Sequence, residues 1–268
     1  MARKTLLMFL VLVIPSLACA HVAPGNVVAV RIISDDGSEF PKYKAYPRAS
    51  QGANYFYLEA VKGSRYSIQV TNRSAGRIGA VIAVDGRNII SGKKSDLKRD
   101  ERMYIIGPYE TNTFEGWRTA LDRTNRFYFT EPSDSYAEKV FADGSAMGTI
   151  GIAVYSEKIS EAPPCSQKSS RMDGAAAVPA PTAPKDRASS NRLEQERDKG
   201  AGTGFGETTY SPARNVQFDP EPVPADKVIL KYEWRSELCR KGIVPCGPKN
   251  RFWPGGSDFA PIPKDFNG

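Results

Sequence analysis

The chain has 268 residues, 40% of them hydrophobic, and a formal charge of +7 from 37 basic and 30 acidic side chains. That length supports one or two domains, and 20 Pro with 23 Gly shift the composition towards loops. A single histidine excludes a multi-histidine zinc site and leaves any Ser-His-Asp or Cys-His arrangement dependent on one imidazole.

The first element is an export segment. Arg3 and Lys4 precede an apolar run over 6–14, Pro15 breaks it, and Ala18-Cys19-Ala20 supplies small residues. This is the order of a secretory signal peptide over 1–20. The apolar run is shorter than the roughly 20 residues of a spanning helix. Cleavage after Ala20 makes His21, the sole histidine, the mature N-terminus and predicts a periplasmic or extracellular protein. The alternative is acylation of Cys19, which would anchor the protein to the outer membrane and make a membrane its partner. Against it, Ser16 stands where such sites prefer an aliphatic residue. An N-terminal histidine also supplies the copper brace of lytic polysaccharide monooxygenases. That brace takes a second histidine, which this chain lacks, so no metal or other cofactor is expected.

Between residues 25 and 157 the pattern is one of short strands separated by turns. Strands are predicted over 27–33, 55–60, 65–72, 78–84, 88–91, 103–106, 111–117, 126–130 and 149–155, with one short helix over 135–141. In 65–72, Tyr66, Ile68 and Val70 alternate with Ser67, Gln69 and Thr71, the period of a half-buried strand. Residues 78–84 are continuously apolar, as a central strand would be, and Asp85-Gly86 follows as a hairpin turn. The spacing predicts an all-β fold, an antiparallel β-sandwich.

Over 160–200 the composition turns to Ala, Pro, Ser and charged residues, too poor in large apolar side chains to form a core, which predicts a disordered linker. Strands are again predicted over 208–218 and 227–232, with a helix over 234–241 that ends at Gly242. This strand-strand-helix segment, 201–248, is too small to fold alone and is expected to pack on the sandwich and complete it. Residues 249–268 read as an irregular tail. Cys239 and Cys246 are placed to bridge a small loop, leaving Cys165 free, buried or paired with another chain.

Several groups of residues could carry chemistry, and each has a structural reading beside it. Gly202-Thr203-Gly204-Phe205-Gly206 resembles a phosphate loop, but its spacing and context fit a glycine hinge or a bulged strand entrance better. Asp35-Asp36-Gly37-Ser38-Glu39 offers oxygen ligands and also reads as a plain turn. Glu115, Glu131 and Asp134 lie near aromatic residues and could supply a glycosidase-type carboxylate pair. Tyr109, Trp117, Tyr128 and Tyr136 could stack on sugars, yet at strand spacing they read as core. Arg118 and Asp122 could pair across a helical turn. The charges over 93–102 are interleaved in sign, as in a solvated loop, so no nucleic-acid partner is expected. The candidate ligand-binding residues are Asn88, Trp117, Asp134 and Tyr136, on or beside loops 88–102 and 133–136. No catalytic residue is nominated.

A longer pattern runs through the chain: Val84-Asp85-Gly86-Arg87-Asn88, Tyr104-Ile105-Ile106-Gly107-Pro108-Tyr109, Gly116-Trp117-Arg118 and Gly148-Thr149-Ile150-Gly151. It continues after the linker in Gly202 to Gly206 and in Leu238 to Pro245. In this order the chain resembles a group of exported proteins of Gram-negative bacteria that has no established activity. The resemblance implies that the segments on both sides of the linker form one unit, and it carries over no catalytic residue. The chain departs from the pattern near Glu233-Trp234, and Cys239 and Cys246 look particular to it. The expectation is a non-enzymatic exported module that binds an envelope protein or polysaccharide, or serves a structural role there. The alternative is a carbohydrate-active protein that uses acidic and aromatic loop residues.

Overall fold

The computed structural model describes residues 27–46, 52–158 and 200–247. The readings of the export segment, Cys19, His21, Cys165, the linker up to residue 199 and the tail 249–268 lie outside them.

Alternating and continuous apolar runs become strands in chain order. The strands β1 (Val28–Ser34), β2 (Lys42–Ala45), β3 (Asn54–Ala60), β4 (Arg65–Asn72) and β5 (Ile78–Val84) lead into the two-residue β6 (Arg87–Asn88). Then come β7 (Tyr104–Ile106), β8 (Thr111–Phe114), β9 (Gly116–Ala120) and β10 (Arg123–Thr130). A 3-10 turn, Pro132–Asp134, precedes helix α1 (Tyr136–Phe141), and β11 (Thr149–Ser156) follows. Beyond residue 199 the chain adds β12 (Gly202–Thr203), β13 (Thr208–Tyr210), β14 (Asp226–Trp234) and helix α2 (Arg235–Arg240).

These strands form two sheets of seven. The first runs β1-β4-β10-β12, with β8 on β4 and with β9 and β13 on β10; the second runs β2-β3-β14-β11-β5-β6, with β7 on β5. They pack through one apolar core. Ile32, Ile68, Val70, Phe127 and Phe129 of the first sheet meet Leu58, Ile78, Ile82, Ile150 and Leu230 of the second, all of them 0–1% exposed. Each such side chain contributes about 1.5–3 kcal/mol through burial. The fold is an all-β sandwich, as the sequence pattern predicts.

Three departures from the predicted elements position the site. The pairing of β14 with β3 is parallel, in register from Val228 opposite Asn54 to Trp234 opposite Ala60, whereas every other described strand pair is antiparallel. β14 lies inside the second sheet, between β3 and β11, and so completes it, as expected of the C-terminal segment. The predicted strand over 111–117 is two strands. β4 and β10 pair only at Tyr66–Phe127 and Arg65–Tyr128 and then diverge, so that β8 lines β4 and β9 lines β10. At the bend between them stands Gly116, where a Cβ would lie 1.9 Å from the Asn125 carbonyl oxygen, so only glycine fits. The predicted strand over 208–218 ends at Tyr210, and 211–220 continues as a strap without a ladder of its own.

Candidate functional site

Two polar assemblies sit at opposite extremes of exposure. The buried one starts at the Asp85-Gly86 turn, where φ is +48° and +74°. Val84 pairs with Arg87 across it, so β5 and β6 meet through the two-residue primed turn that hairpins favour. The turn aims Asp85 inward, where it is 1% exposed. Its carboxylate accepts hydrogen bonds from the amides of Gly148 and Thr203, each at 2.8 Å, and from the Tyr232 hydroxyl. The Thr203 hydroxyl lies 2.7 Å from that of Tyr232 and 2.8 Å from that of Tyr66. The seam thus joins β4 and β12 of the first sheet to β14 and the β5–β6 turn of the second. Burial pushes the Asp85 carboxyl up to about 6, although its three donors pull the other way. Burial also raises both phenols well above their usual range. Each polar group is matched inside the protein and closed to solvent, so the seam joins the two sheets and offers nothing to a ligand.

The residues nominated from the sequence are placed as follows. Asn88 is 1% exposed and its amide is fully engaged. Its Oδ1 accepts from the amides of Ile90 at 2.9 Å and Ser91 at 3.2 Å, and its Nδ2 donates to the Arg102 carbonyl at 2.8 Å. Trp117 is buried and donates from Nε1 to the Gly204 carbonyl at 3.1 Å. Half-buried Tyr136 packs on it with ring centroids 4.5 Å apart and stacks on Phe205 at 5.2 Å. Asp134 accepts from the hydroxyls of Tyr128 and Thr130, both at 2.9 Å, and forms an ion pair with Lys139 that holds its carboxyl below the usual range. The structure therefore unites Trp117 with Tyr136, and it leaves Asn88 and Asp134 in separate networks.

Other readings resolve in the same way. The glycine motif lies along β10: Gly202 and Thr203 pair with Thr130 and Phe129, and the amides of Gly204 and Gly206 donate to Tyr128 and Arg126. A Cβ on Gly204 would stand 2.1 Å from the Tyr128 ring, so close strand approach accounts for that glycine. In the 35–39 turn, Asp35 pairs with Arg65 and Arg126 and Glu39 with Arg31 and Lys42. Arg118 lies on a strand and does not pair with Asp122, which bonds Arg123 instead.

The exposed assembly is a cleft of about 1050 Å³, lined by β7, β8, β9 and the 211–220 strap. Arg118 ties its walls together, donating to the Tyr104 hydroxyl at 2.7 Å, the Ala120 carbonyl at 3.1 Å and the Ser211 carbonyl at 2.9 Å. Asn72 holds the turn between β7 and β8 through Nδ2, which donates to the Gly107 carbonyl at 2.7 Å. The rings of Tyr104 and Phe114 pack with centroids 4.4 Å apart. Met103 and Phe218 cover Gly79, where a Cβ would meet the Met103 sulfur at 2.2 Å.

Around this braced floor several groups are left over. Arg99, Arg102 and Arg214 line the cleft and are exposed, and their guanidinium groups make no hydrogen bond or ion pair among the described residues. The Glu115 carboxylate lines it with no such partner either, whereas Glu131 is paired with Lys62 at 2.7 Å and does not reach the cleft. Glu101 also lines the cleft, but its carboxylate already accepts from the amides of Asp96 and Lys98. Thr124, opposite Arg118 on β10, is 3% exposed and lines the cleft, and its hydroxyl has no hydrogen-bond partner among the described residues. Arg99 and Arg102 belong to the loop that the sequence marked as a contact region. Arg214 and Thr124 carried no sequence signal, because their distinction is the lack of a partner.

Among the described residues no helix is long and apolar enough to cross a membrane, and no group of three or more His, Cys, Asp or Glu is placed to hold a metal. Comparison with protein-family models, curated proteins and solved structures found no match to this chain.

Proposed function

We propose that this protein is an exported, non-enzymatic binding module of the cell envelope, with the cleft between β7, β8, β9 and the 211–220 strap as its contact surface. The observation that carries this reading is the contrast within the cleft. Its floor is fixed by hydrogen bonds internal to the protein, and unpartnered guanidinium groups stand at its rim. A preformed concave site with a few convergent polar groups is the usual form of a binding site. The signal-peptide order over 1–20 and the resemblance to exported proteins support the location.

The carbohydrate-active alternative keeps one observation in its favour, the free Glu115 carboxylate in the cleft. Glycoside hydrolysis by the common route takes two carboxyl groups about 5–9.5 Å apart. Glu131 and Asp134 are bound to lysines and do not line the cleft.

The test is export of the full chain followed by pull-down from envelope extract. The expected result is a mature protein beginning at His21 by mass spectrometry that retains an envelope component through the cleft. An acylated Cys19 would replace the free module with an anchored one. Failure to retain anything, together with degradation of a glycan by the purified protein, would overturn the binding reading.

A further inference from the structure

We infer that the cleft binds a polysaccharide whose sugars carry carboxylate groups, read by Arg99, Arg102 and Arg214. This rests on the binding-module reading and names its ligand class. Three unpartnered guanidinium groups around one cleft are a receptor for anions. The planar fork of arginine matches a carboxylate through two parallel hydrogen bonds.

The rest of the lining selects among anions. Glu101, Glu110 and Glu115 line the cleft together with the arginines, so a ligand with a phosphate at every unit would meet repulsion. A glycan with spaced carboxylates and many hydroxyls fits both signs, since free Glu115 can accept from sugar hydroxyls. Asn112, Thr113 and Asn215 add donors and acceptors. The buried Thr124 hydroxyl gives a second, independent observation. It lines the cleft, it is closed to bulk solvent, and nothing among the described residues satisfies it. An acidic peptide is the poorer occupant. β7, β8 and β9 are three, four and five residues long and the strap forms no ladder, so among the described residues the cleft has only short strand edges to receive a peptide backbone.

The experiment is a titration of the full exported chain with polygalacturonate, dextran and polyglutamate. Polygalacturonate is expected to bind at least about tenfold more tightly than either of the others, and more weakly as salt rises. The triple variant Arg99→Ala/Arg102→Ala/Arg214→Ala is expected to lose about tenfold or more of that affinity. Lys44→Ala/Lys62→Ala/Lys139→Ala removes the same charge outside the cleft and is expected to leave binding unchanged. Thr124→Val is expected to weaken polygalacturonate binding severalfold with the unfolding midpoint kept or raised. Equal binding of polyglutamate or of dextran, or equal losses in the two triple variants, would overturn the inference. If an envelope component is still retained through the cleft in that case, the ligand class fails and the binding module stands. If nothing is retained and the purified protein degrades a glycan, both fail.

Discussion

The seam around Asp85 and the cleft around Arg118 both gather carboxylates and hydroxyls from several strands, and the cleft adds arginines, yet they differ most in what is left over. In the seam three donors converge on one carboxylate, and the hydroxyls of Tyr66, Thr203 and Tyr232 pass hydrogen bonds between the sheets. In the cleft the floor residues are equally well bonded, but Arg99, Arg102, Arg214 and the Thr124 hydroxyl are not. A polar group matched inside the protein contributes to the fold. A buried one left unmatched, as at Thr124, costs stability, whereas the exposed guanidinium groups are held by solvent and stay open to a ligand.

The most severe way to break the contrast is to empty the seam. Asp85→Leu leaves the amides of Gly148 and Thr203 and the Tyr232 hydroxyl without their acceptor, and it forces a bulky residue into φ +48°. The expected loss is about 4 kcal/mol or more in urea unfolding, with orphaned donors at about 1–3 kcal/mol each and only partly additive. A loss below about 1 kcal/mol would mean that the seam does not hold the sheets together.

The next effect is electrostatic. Because burial raises the Asp85 carboxyl to about 6 in the folded state, the folded protein keeps that proton at pH values where the unfolded chain has released it. Stability from this group is therefore highest below the unfolded value near 3.8, falls as pH rises towards 6, and then levels off. The span corresponds to about 3 kcal/mol. Asp134 and Asp143, whose carboxyls are held low, act in the opposite direction, so the curve of the wild type alone is a mixture. The difference between wild type and Asp85→Asn isolates the seam, and it should shrink between pH 4 and pH 6. A difference independent of pH would show that Asp85 is not desolvated.

How far these regions could be read from the sequence depends on how local their causes are. β4 and β5 appear in the sequence with their observed limits, because alternation and continuous apolar character are properties of adjacent residues. The Asp85-Gly86 turn is legible for the same reason. That Asp85 points at Thr203 and Tyr232 is not, since those partners lie 118 and 147 residues away. The parallel insertion of β14 is likewise a long-range outcome, although the sequence did suggest that the C-terminal segment joins the same fold. β2 escapes because Lys42 and Lys44 flank a single Tyr43 on a half-exposed edge strand, which gives no apolar pattern to detect. Trp117 and Tyr136 carry a signal that two readings share, and the structure packs them together in the aromatic core. In the cleft, Arg99 and Arg102 sit in a run whose interleaved charges hide how folding sorts them: Glu101 turns back to bond loop amides and the arginines face outward.

A third test asks whether β14 is held by the seam or by the clip at its end. The Cys239–Cys246 disulfide ties the last turn of α2 to the chain that follows it, across a separation of seven residues. Replacing both cysteines with serine should cost about 2–3 kcal/mol on the loop-entropy account. Polygalacturonate affinity should be unchanged, because neither cysteine lines the cleft. A collapse comparable to that of Asp85→Leu would move the anchoring of β14 from Tyr232 to the disulfide.

The smallest expected effect bears most directly on the difference between the two regions. Thr124→Val keeps the shape and β-branching of the side chain on β10 and removes only the hydroxyl, which is 3% exposed as a residue and unpartnered. In the seam, removing a hydroxyl such as that of Thr203 breaks bonds to two tyrosines and must destabilise the fold. At Thr124 there is no bond to break, and the desolvation cost of the hydroxyl disappears with it. The unfolding midpoint of the free protein should therefore stay level or rise, by up to about 1 kcal/mol. Destabilisation of more than about 1 kcal/mol would mean that Thr124 is bonded in the folded protein, and the distinction between matched and leftover polar groups would fail at this residue.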